Sequence, residues 1–399
     1  MLPAMTESTP VFDPRAVIEG RAPGRTSIGF IAGVVITVAC AIVALGIDVA
    51  QSVAAGDGVV PAVIALPLAL LPVPLLVAVV LFIDRLEPEP RGTLVLAFGW
   101  GAGIAALFAL LINTAGLLYV TQPALGASTG EYVSATLGAP VVEETLKGLF
   151  LLGLLWRRRD EIDGPTDGII YATMVGLGFA MMENVGYYIS ALVRPAVGGV
   201  SLLGATFVFR GILSPLAHPM FTSMTGIGAA YAATHRRGGW AVGAGLLGAM
   251  ILHGLWNGLT AFGLPGLVLA YGLLACVLVI LIAVVVADRR RIVRLIRRFL
   301  PSYQASGLVT EADLRMLCTL RERRAARVWA RSVGGRTAAR AMTNYQLAAT
   351  ELALAHQRAE RGAVAAGQFE ERRRALAEVM ASAREVVRQY YPAAPGSRA

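Results

Sequence analysis

The chain has 399 residues, of which 56% are hydrophobic and only 15% are charged, with a formal net charge of +9 at neutral pH. Soluble domains carry roughly a quarter charged residues, so this composition excludes an ordinary soluble domain and favours an integral membrane protein. The positive charge is distributed along the chain beside apolar runs, as membrane topology requires. No nucleic-acid partner is therefore predicted, and the lipid bilayer is the expected environment.

Apolar runs of 18 residues or more predict transmembrane helices. The sequence contains eight of them, at about 28–50, 59–83, 93–120, 132–156, 168–193, 206–233, 240–262 and 265–287. The predicted fold class is all-α, a polytopic membrane protein with a cytoplasmic helical tail. Residues 1–25 form a polar N-terminal lead, and residues 26–287 form the eight-span membrane domain.

Arginines indicate which connections face the cytoplasm, because cytoplasmic loops are enriched in positive residues. The arginine-rich segments are 15–25, 157–159, 236–237 and 288–298. The connections 51–58, 121–131 and 263–264 contain no Lys or Arg, and Arg210 is read as the end of the connection before the sixth span. The predicted protein is a multi-pass protein of the plasma membrane with both termini cytoplasmic.

The remaining residues, 288–399, are rich in Arg, Ala and Glu and predict a basic cytoplasmic helical tail. The segment "TEAD" at 310–313 resembles a helix capping box. Helical patterns follow at about 340–362 and 367–391.

Ionisable residues inside spans are costly, by roughly 2.5–3.5 kcal/mol each at the membrane centre, and usually face a cavity or one another. Counted along the helical rise, those of four consecutive predicted spans fall at similar depth. Lys147, the chain's single lysine, can reach both preceding carboxylates at helical spacing. The polar set is Glu143, Glu144 and Lys147 in the fourth span, Glu183 in the fifth, His218 in the sixth, and His253 and Asn257 in the seventh. Glu143, Glu183, His218 and His253 are predicted to meet in one pocket.

Four kinds of function fit these residues. Two histidines with carboxylates make a zinc set that leaves a position for water, with a further carboxylate as general base. A metal-free protease would use Glu143 to activate water, with His253 and Asn257 donating to the oxyanion. A secondary transporter or channel would use the same groups as a proton relay. A catalytically silent scaffold would act through its basic tail.

Four motifs carry a resemblance to a known family. They are "EETLK" at 143–147, "FAMMEN" at 179–184, "LSPLAHPMFT" at 213–222 and "HGLWN" at 253–257, preceded by "DRLEPEPR" at 84–91. They resemble the PrsW family of intramembrane metalloproteases over about 84–260, and more distantly the CAAX prenyl endopeptidases. The resemblance implies a divalent metal, with zinc as the predicted ion, and a membrane-anchored protein substrate such as an anti-sigma factor.

Residues and resemblance together lead to one assignment of roles. The expected catalytic residues are Glu143 as general base, Glu144 and Lys147 as its orienting pair, and Asn257 as an oxyanion or supporting group. The expected metal ligands are Glu183, His218 and His253. The sequence makes no prediction of the oligomeric state.

Overall fold

A computed structural model describes residues 13–18, 28–193 and 202–390. All regular structure in these residues is helical, so the predicted all-α class is confirmed. The chain divides into two compact units, one within Ser27–Val286 and the other within Met1–Thr26 and Ala287–Ala399.

Eight long helices follow the order of the predicted spans. They are α1 (Ile28–Ala54), α2 (Val60–Ile83), α3 (Arg91–Leu125), α4 (Ala139–Arg157), α5 (Pro165–Val193), α6 (Ala217–Thr234), α7 (Trp240–Thr260) and α8 (Gly263–Phe299). Short helical turns at Ala127–Val133 and Ser134–Gly138 precede α4. α3 includes two turns of π-helix, at Trp100–Ala105 and Leu117–Thr121.

Only six of the described helices are long and apolar enough to cross a membrane by length and composition, so the count of eight stays a prediction. The two that fall short are α4 and α6. α4 carries Glu143, Glu144 and Lys147 within about one turn, and α6 has a histidine and a proline in its first turn and is rich in Thr, Ser and Gly. The helices that fall short are therefore ones that carry the polar residues predicted to form the site.

The predicted sixth span, 206–233, is wrong as a continuous helix. Helical turns at Leu202–Thr206 and Phe207–Leu213 end before Ser214, and α6 starts afresh at Ala217. Pro215 lies in the gap, where it lacks an amide hydrogen and disfavours helical geometry at the preceding residue. The break places His218 in the first turn of α6 rather than in the middle of a span.

α5 is the central helix of the membrane unit, and 89% of its 18-residue apolar segment is buried inside the protein. Close approach to α6 depends on missing side chains. A Cβ on Gly176 would lie 2.6 Å from the backbone nitrogen of Pro219, and Gly168 and Gly226 each abut the other's carbonyl. Glycine at these positions brings the first turn of α6, with His218, against α5.

The second unit is a helical tail with its own apolar core. Besides the short helix Pro14–Ile18 and the end of α8, it contains α9 (Glu311–Leu317), α10 (Leu320–Glu360) and α11 (Ala366–Tyr390). The capping box is confirmed, because Thr310 and Asp313 exchange the expected hydrogen bonds. α10 consists of two helical parts that meet where Gly334 and Gly335 leave helical geometry, and the helix predicted from about 340 corresponds to the part after this break.

A buried acidic cluster lies at the connection between α2 and α3. The Glu89 amide donates to both carboxylate oxygens of Asp84, at 3.0 and 3.2 Å, and the Tyr171 hydroxyl donates to Glu89 at 2.6 Å. Burial raises the pKa of Asp84 to about 7 against the opposing hydrogen bonds from Glu89. Burial, with the nearby charge of Asp167, raises the pKa of Glu89 well above its ordinary value.

The orientation of the membrane unit can be tested with reporter fusions placed after residues 55, 125 and 160. The arginine distribution predicts that the first two report outside and the third inside. An inside signal at 125 or an outside signal at 160 would contradict the eight-span order.

The pKa of Asp84 gives stability a pH dependence of known sign. The folded protein holds this proton up to about pH 7, whereas the ordinary pKa is 3.8, so folding is favoured on the acid side and this stabilisation is lost as pH rises through that window. Asp84→Asn cannot ionise and keeps an oxygen for the Glu89 amide. We expect it to unfold at a higher temperature than wild type at pH 8, with a smaller difference at pH 4.5, in thermal unfolding of the purified protein.

The matched control is Asp160→Asn, because Asp160 is an exposed carboxylate in the short turn after α4. It should follow the wild-type pH profile. Equal profiles for Asp84→Asn and wild type would contradict the assignment of the pH dependence to Asp84.

Candidate active site

The buried ammonium of Lys147 is the centre of the polar cluster in the membrane unit. Lys147 Nζ lies 2.7 Å from Glu144 Oε1, 3.0 Å from His218 Nδ1 and 3.6 Å from Glu143 Oε2. It also lies 4.0 Å from the centroid of the Phe179 ring, a cation–π contact. Helices α4, α5 and α6 all meet at this one side chain.

Glu144 is fully buried, and its carboxylate contacts three side chains. Besides Lys147, its Oε1 lies 3.1 Å from His253 Nδ1, and its Oε2 accepts a hydrogen bond of 2.9 Å from the Thr222 hydroxyl. An ionised carboxylate only accepts hydrogen bonds, so His253 carries its hydrogen on Nδ1 and leaves the lone pair on Nε2. Glu144 thereby orients His253.

Glu143 points away from its neighbour, as expected for adjacent residues of a helix. Its Oε1 accepts a hydrogen bond of 3.2 Å from the Asn113 amide of α3. Its Oε2 is buried and has no hydrogen-bond partner; the nearest groups are Lys147 and His253 Nε2, the latter at 3.8 Å. A buried carboxylate oxygen without a hydrogen bond is costly and is therefore a reactive or ligand-binding atom by expectation.

Glu183 of α5 reaches the cluster from the other side. Its Oε2 lies 2.8 Å from His218 Nε2 and forms an ion pair with Arg210. Arg210 also donates to Asn184 at 2.8 Å and lies over the Tyr187 ring at 3.7 Å. Arg210 was predicted to belong to a connection; it lies instead in the helical turn Phe207–Leu213 and neutralises Glu183.

The two histidines lie next to each other and are enclosed by aromatic rings. The His218 and His253 ring centroids are 4.9 Å apart and nearly perpendicular. Phe221 stacks on His253 at 5.0 Å, and Phe179 packs on His218 at 5.2 Å. These rings restrict both imidazoles to one orientation.

The structure thus brings six of the seven predicted site residues together: Glu143, Glu144, Lys147, Glu183, His218 and His253. Ligand atoms of Glu143, His218 and His253 all lie within 4.8 Å of one another, a grouping that suits a metal ion. Asn257 is held elsewhere, since its amide donates to the Ala135 carbonyl at 2.9 Å.

Three residues of the site are absent from the set predicted from the sequence. Thr222 lies one helical turn after His218, in a motif that was noted, so its position on the same helix face was available as a signal. Asn113 and Arg210 come from helices with no other site residue. An arginine so close to a predicted span is a signal for Arg210, but nothing local identifies Asn113.

A cavity of about 540 Å³ opens onto the cluster and is lined by residues of α1, α3, α4 and α5. Asn113, Glu143, Phe179 and Glu183 line its inner part. Its size falls in the range of ligand-binding pockets. The unpaired oxygen of Glu143 therefore has a space beside it that a substrate can enter.

Comparisons with known proteins identify a family for the membrane unit. Residues 89–287 match the PrsW family of intramembrane metalloproteases. Over 177 residues the chain is 28% identical to the protease PrsW of Geobacillus kaustophilus (strain HTA426), covering 44% of this chain and 69% of that protein. Over 143 residues it is 33% identical to the protease PrsW of Clostridioides difficile (strain 630), covering 36% of this chain and 55% of that protein. No solved structure matches the chain.

The matched segment includes all helices that carry the buried cluster, from Asn113 of α3 to His253 of α7. Through residues 89–287, the chain belongs to the PrsW family of membrane proteases.

Proposed function

We propose that the chain hydrolyses a peptide bond of a membrane-anchored protein, with Glu143 as the general base. The observation that carries this proposal is the Glu143 Oε2 atom, which is buried, lacks a hydrogen bond and lies beside a cavity. A general base needs to reach the proton that it removes, either directly or through one water molecule. Family membership supports proteolysis over the transporter and scaffold alternatives.

Glu143 and His253 offer two lone pairs to a single water molecule. Their Oε2 and Nε2 atoms are 3.8 Å apart, so a water placed about 2.8 Å from each can donate one hydrogen to each. The water oxygen then keeps a lone pair for the scissile carbonyl carbon. As the C–O bond forms, Glu143 takes the water proton, and it delivers that proton to the leaving amine nitrogen as the C–N bond breaks.

The other residues of the cluster act as positioning residues. Asn113 orients the Glu143 carboxylate through its Oε1 atom, and Glu144 orients the His253 ring through Nδ1. Lys147 holds Glu144 in place. Asn257 has no hydrogen bond to the cluster among the described residues, and its proposed place in the oxyanion site requires it to leave Ala135.

The donor set fits a divalent metal, for which we propose zinc. Two imidazoles and a carboxylate are ligands that zinc prefers, and the free Nε2 lone pair of His253 is the natural start of such a site, with the orphaned Glu143 Oε2 left beside it as the base. His218 and Glu183 would complete it. Bound zinc supplies a Lewis acid for the carbonyl and lowers the pKa of a bound water.

His218 joins such a metal only if a hydrogen bond changes. The Lys147 ammonium can only donate, so His218 Nδ1 accepts and Nε2 carries the hydrogen that reaches Glu183. A metal bound at Nε2 requires the opposite tautomer and therefore release of Nδ1 by Lys147.

The proposed substrate follows from the family, and the proposed membrane orientation follows from the charge distribution. The substrate is proposed to be a membrane-anchored regulator such as an anti-sigma factor, and the protein is placed in the bacterial plasma membrane with both termini cytoplasmic. The arginine-free connections support this orientation.

Glu143→Gln is the direct test of the base. Glutamine keeps an oxygen for the Asn113 amide but cannot take a proton, so we expect cleavage of a panel of fluorescently labelled single-span proteins to fall at least about 100-fold. The assay uses the purified protein in liposomes, with the metal content of each preparation measured in parallel. Glu385→Gln, at an exposed residue of α11, is the matched control.

Cleavage by Glu143→Gln at the wild-type rate would refute the assigned base. If wild type cleaves no member of the panel yet carries protons across the liposome membrane, the transporter alternative replaces the protease.

A second prediction concerns the buried Lys147–Glu144 pair. Lys147→Met leaves Glu144 without its cation, and breaking a buried pair from one side typically costs about 3–5 kcal/mol. We therefore expect Lys147→Met to lose both thermal stability and activity. The double variant Glu144→Gln with Lys147→Met removes both charges and should recover much of the stability but none of the activity, because His253 loses its orienting carboxylate.

The measurements are thermal unfolding and the cleavage assay on the same preparations. Wild-type activity in Lys147→Met would show that the pair has only a structural role.

A further inference from the structure

The cavity beside Glu143 is lined by carboxylates and by no cation among its described lining residues. The five acidic residues are Asp48, Asp57, Glu131, Glu143 and Glu183. Asp57 and Glu131 are exposed and lie in two of the three connections whose lack of arginine predicts an outward orientation. The cavity thus leads from an acidic rim on the predicted outer side to Glu143.

Asp48 lies between the rim and the reactive groups. It belongs to α1, inside a run of apolar residues, where a carboxylate is costly and marks a functional site by default. Glu144 and Glu183 have direct cationic partners in Lys147 and Arg210, whereas Asp48 has no ion pair or hydrogen bond with the described residues. Its charge is therefore available to a molecule that enters the cavity.

Gly186 leaves space in front of this carboxylate. Both Asp48 carboxylate oxygens lie 3.8 Å from the point where a Cβ on Gly186 would stand. Gly186 follows Glu183 by three residues on α5, so it lies about 4.5 Å farther along the helix axis, toward the rim. Consecutive residues of an extended peptide are about 3.3 Å apart. The Asp48 pocket is thus one or two peptide residues from the reacting groups.

We propose that Asp48 determines substrate specificity by binding a Lys or Arg side chain of the substrate, one or two residues from the scissile bond on its outer side. This inference rests on the proposed protease function. A guanidinium or ammonium supplies the missing counter-charge, and a guanidinium can bind both Asp48 oxygens at once. The acidic rim attracts the same cationic segment toward the cavity.

The test compares substrates that differ at single positions. A single-span substrate cleaved by wild type is mapped by mass spectrometry, and each position within three residues of the cleaved bond is changed to Arg, Gln or Glu. We expect Arg at one outer position to raise kcat/KM over Gln roughly 10- to 100-fold, mainly through KM, as for a hydrogen-bonded charge pair. Asp48→Asn should abolish this preference without slowing cleavage of the Gln substrate.

Two further variants make the test specific. Asp48→Arg should reverse the preference, so that the Glu substrate becomes the better one. Gly186→Leu fills the space in front of Asp48 and should lower kcat/KM for the Arg substrate more than for the Gln substrate. Its Cβ would lie at ordinary contact distance from the Asp48 oxygens, so the helix can accept the substitution. Asp160→Asn removes an exposed carboxylate outside the cavity and should keep the wild-type preference.

The outcomes separate the two proposals. If wild type and Asp48→Asn share one preference while Glu143→Gln is inactive, the protease stands and the Asp48 pocket is refuted. If Asp48→Asn slows Arg and Gln substrates equally through kcat, Asp48 serves proton or metal delivery and the specificity role is again refuted. If wild type cleaves nothing, the proposed function itself fails.

Discussion

The membrane unit depends on one buried ammonium. Lys147 has three hydrogens to donate and is fully buried, so each hydrogen needs an acceptor in the protein. It lies 2.7 Å from Glu144 and 3.0 Å from His218, with Glu143 at 3.6 Å. Removing Glu144 takes away the direct counter-charge of this ammonium, and removing His218 leaves one of its hydrogens without an acceptor. The register of α4 against α6 is set by this requirement, and through Glu144 it extends to His253 on α7.

Because of these buried polar contacts, a helix of this unit can be less apolar than an ordinary transmembrane helix. α4 and α6 are too polar or too short of apolar residues to pass as spans by composition, because they carry the groups that meet at Lys147. Their polar faces contact other helices rather than lipid. α5 is buried along nearly its whole length, and its glycines allow the backbone of α6 to approach closely. Burial among helices thus replaces apolarity as the condition for placing these segments inside the unit.

What the sequence predicts well is what local spacing controls. Glu144 and Lys147 pair because residues three apart share a helix face, and the capping box of Thr310 is equally local. The break before α6 was missed because Pro215 lies in a run that stays apolar on both sides. Arg210 and Asp48 were missed because each is a single charge near a span end, and their roles depend on tertiary neighbours. Asn257 has the right spacing from His253, yet Ala135 takes its amide.

The charges of the cluster also explain why two adjacent glutamates differ. Three carboxylates, those of Glu143, Glu144 and Glu183, face two cations, Lys147 and Arg210, so one negative charge is left over if all are ionised. Glu144 and Glu183 take the direct contacts with these cations. Glu143 is left with a 3.6 Å separation from Lys147, one hydrogen bond to Asn113 and an unpaired oxygen.

When all three are ionised, the uncompensated charge therefore lies on Glu143, at the inner part of the cavity. A proton taken from water, a bound metal or a cationic substrate group would each lower its energy, and all three reach it through the same acid-lined space. Because a helix turns its successive side chains by about 100°, the pair "EE" at 143–144 provides one glutamate committed to Lys147 and one free to react. The division of roles follows from helix geometry and charge balance together.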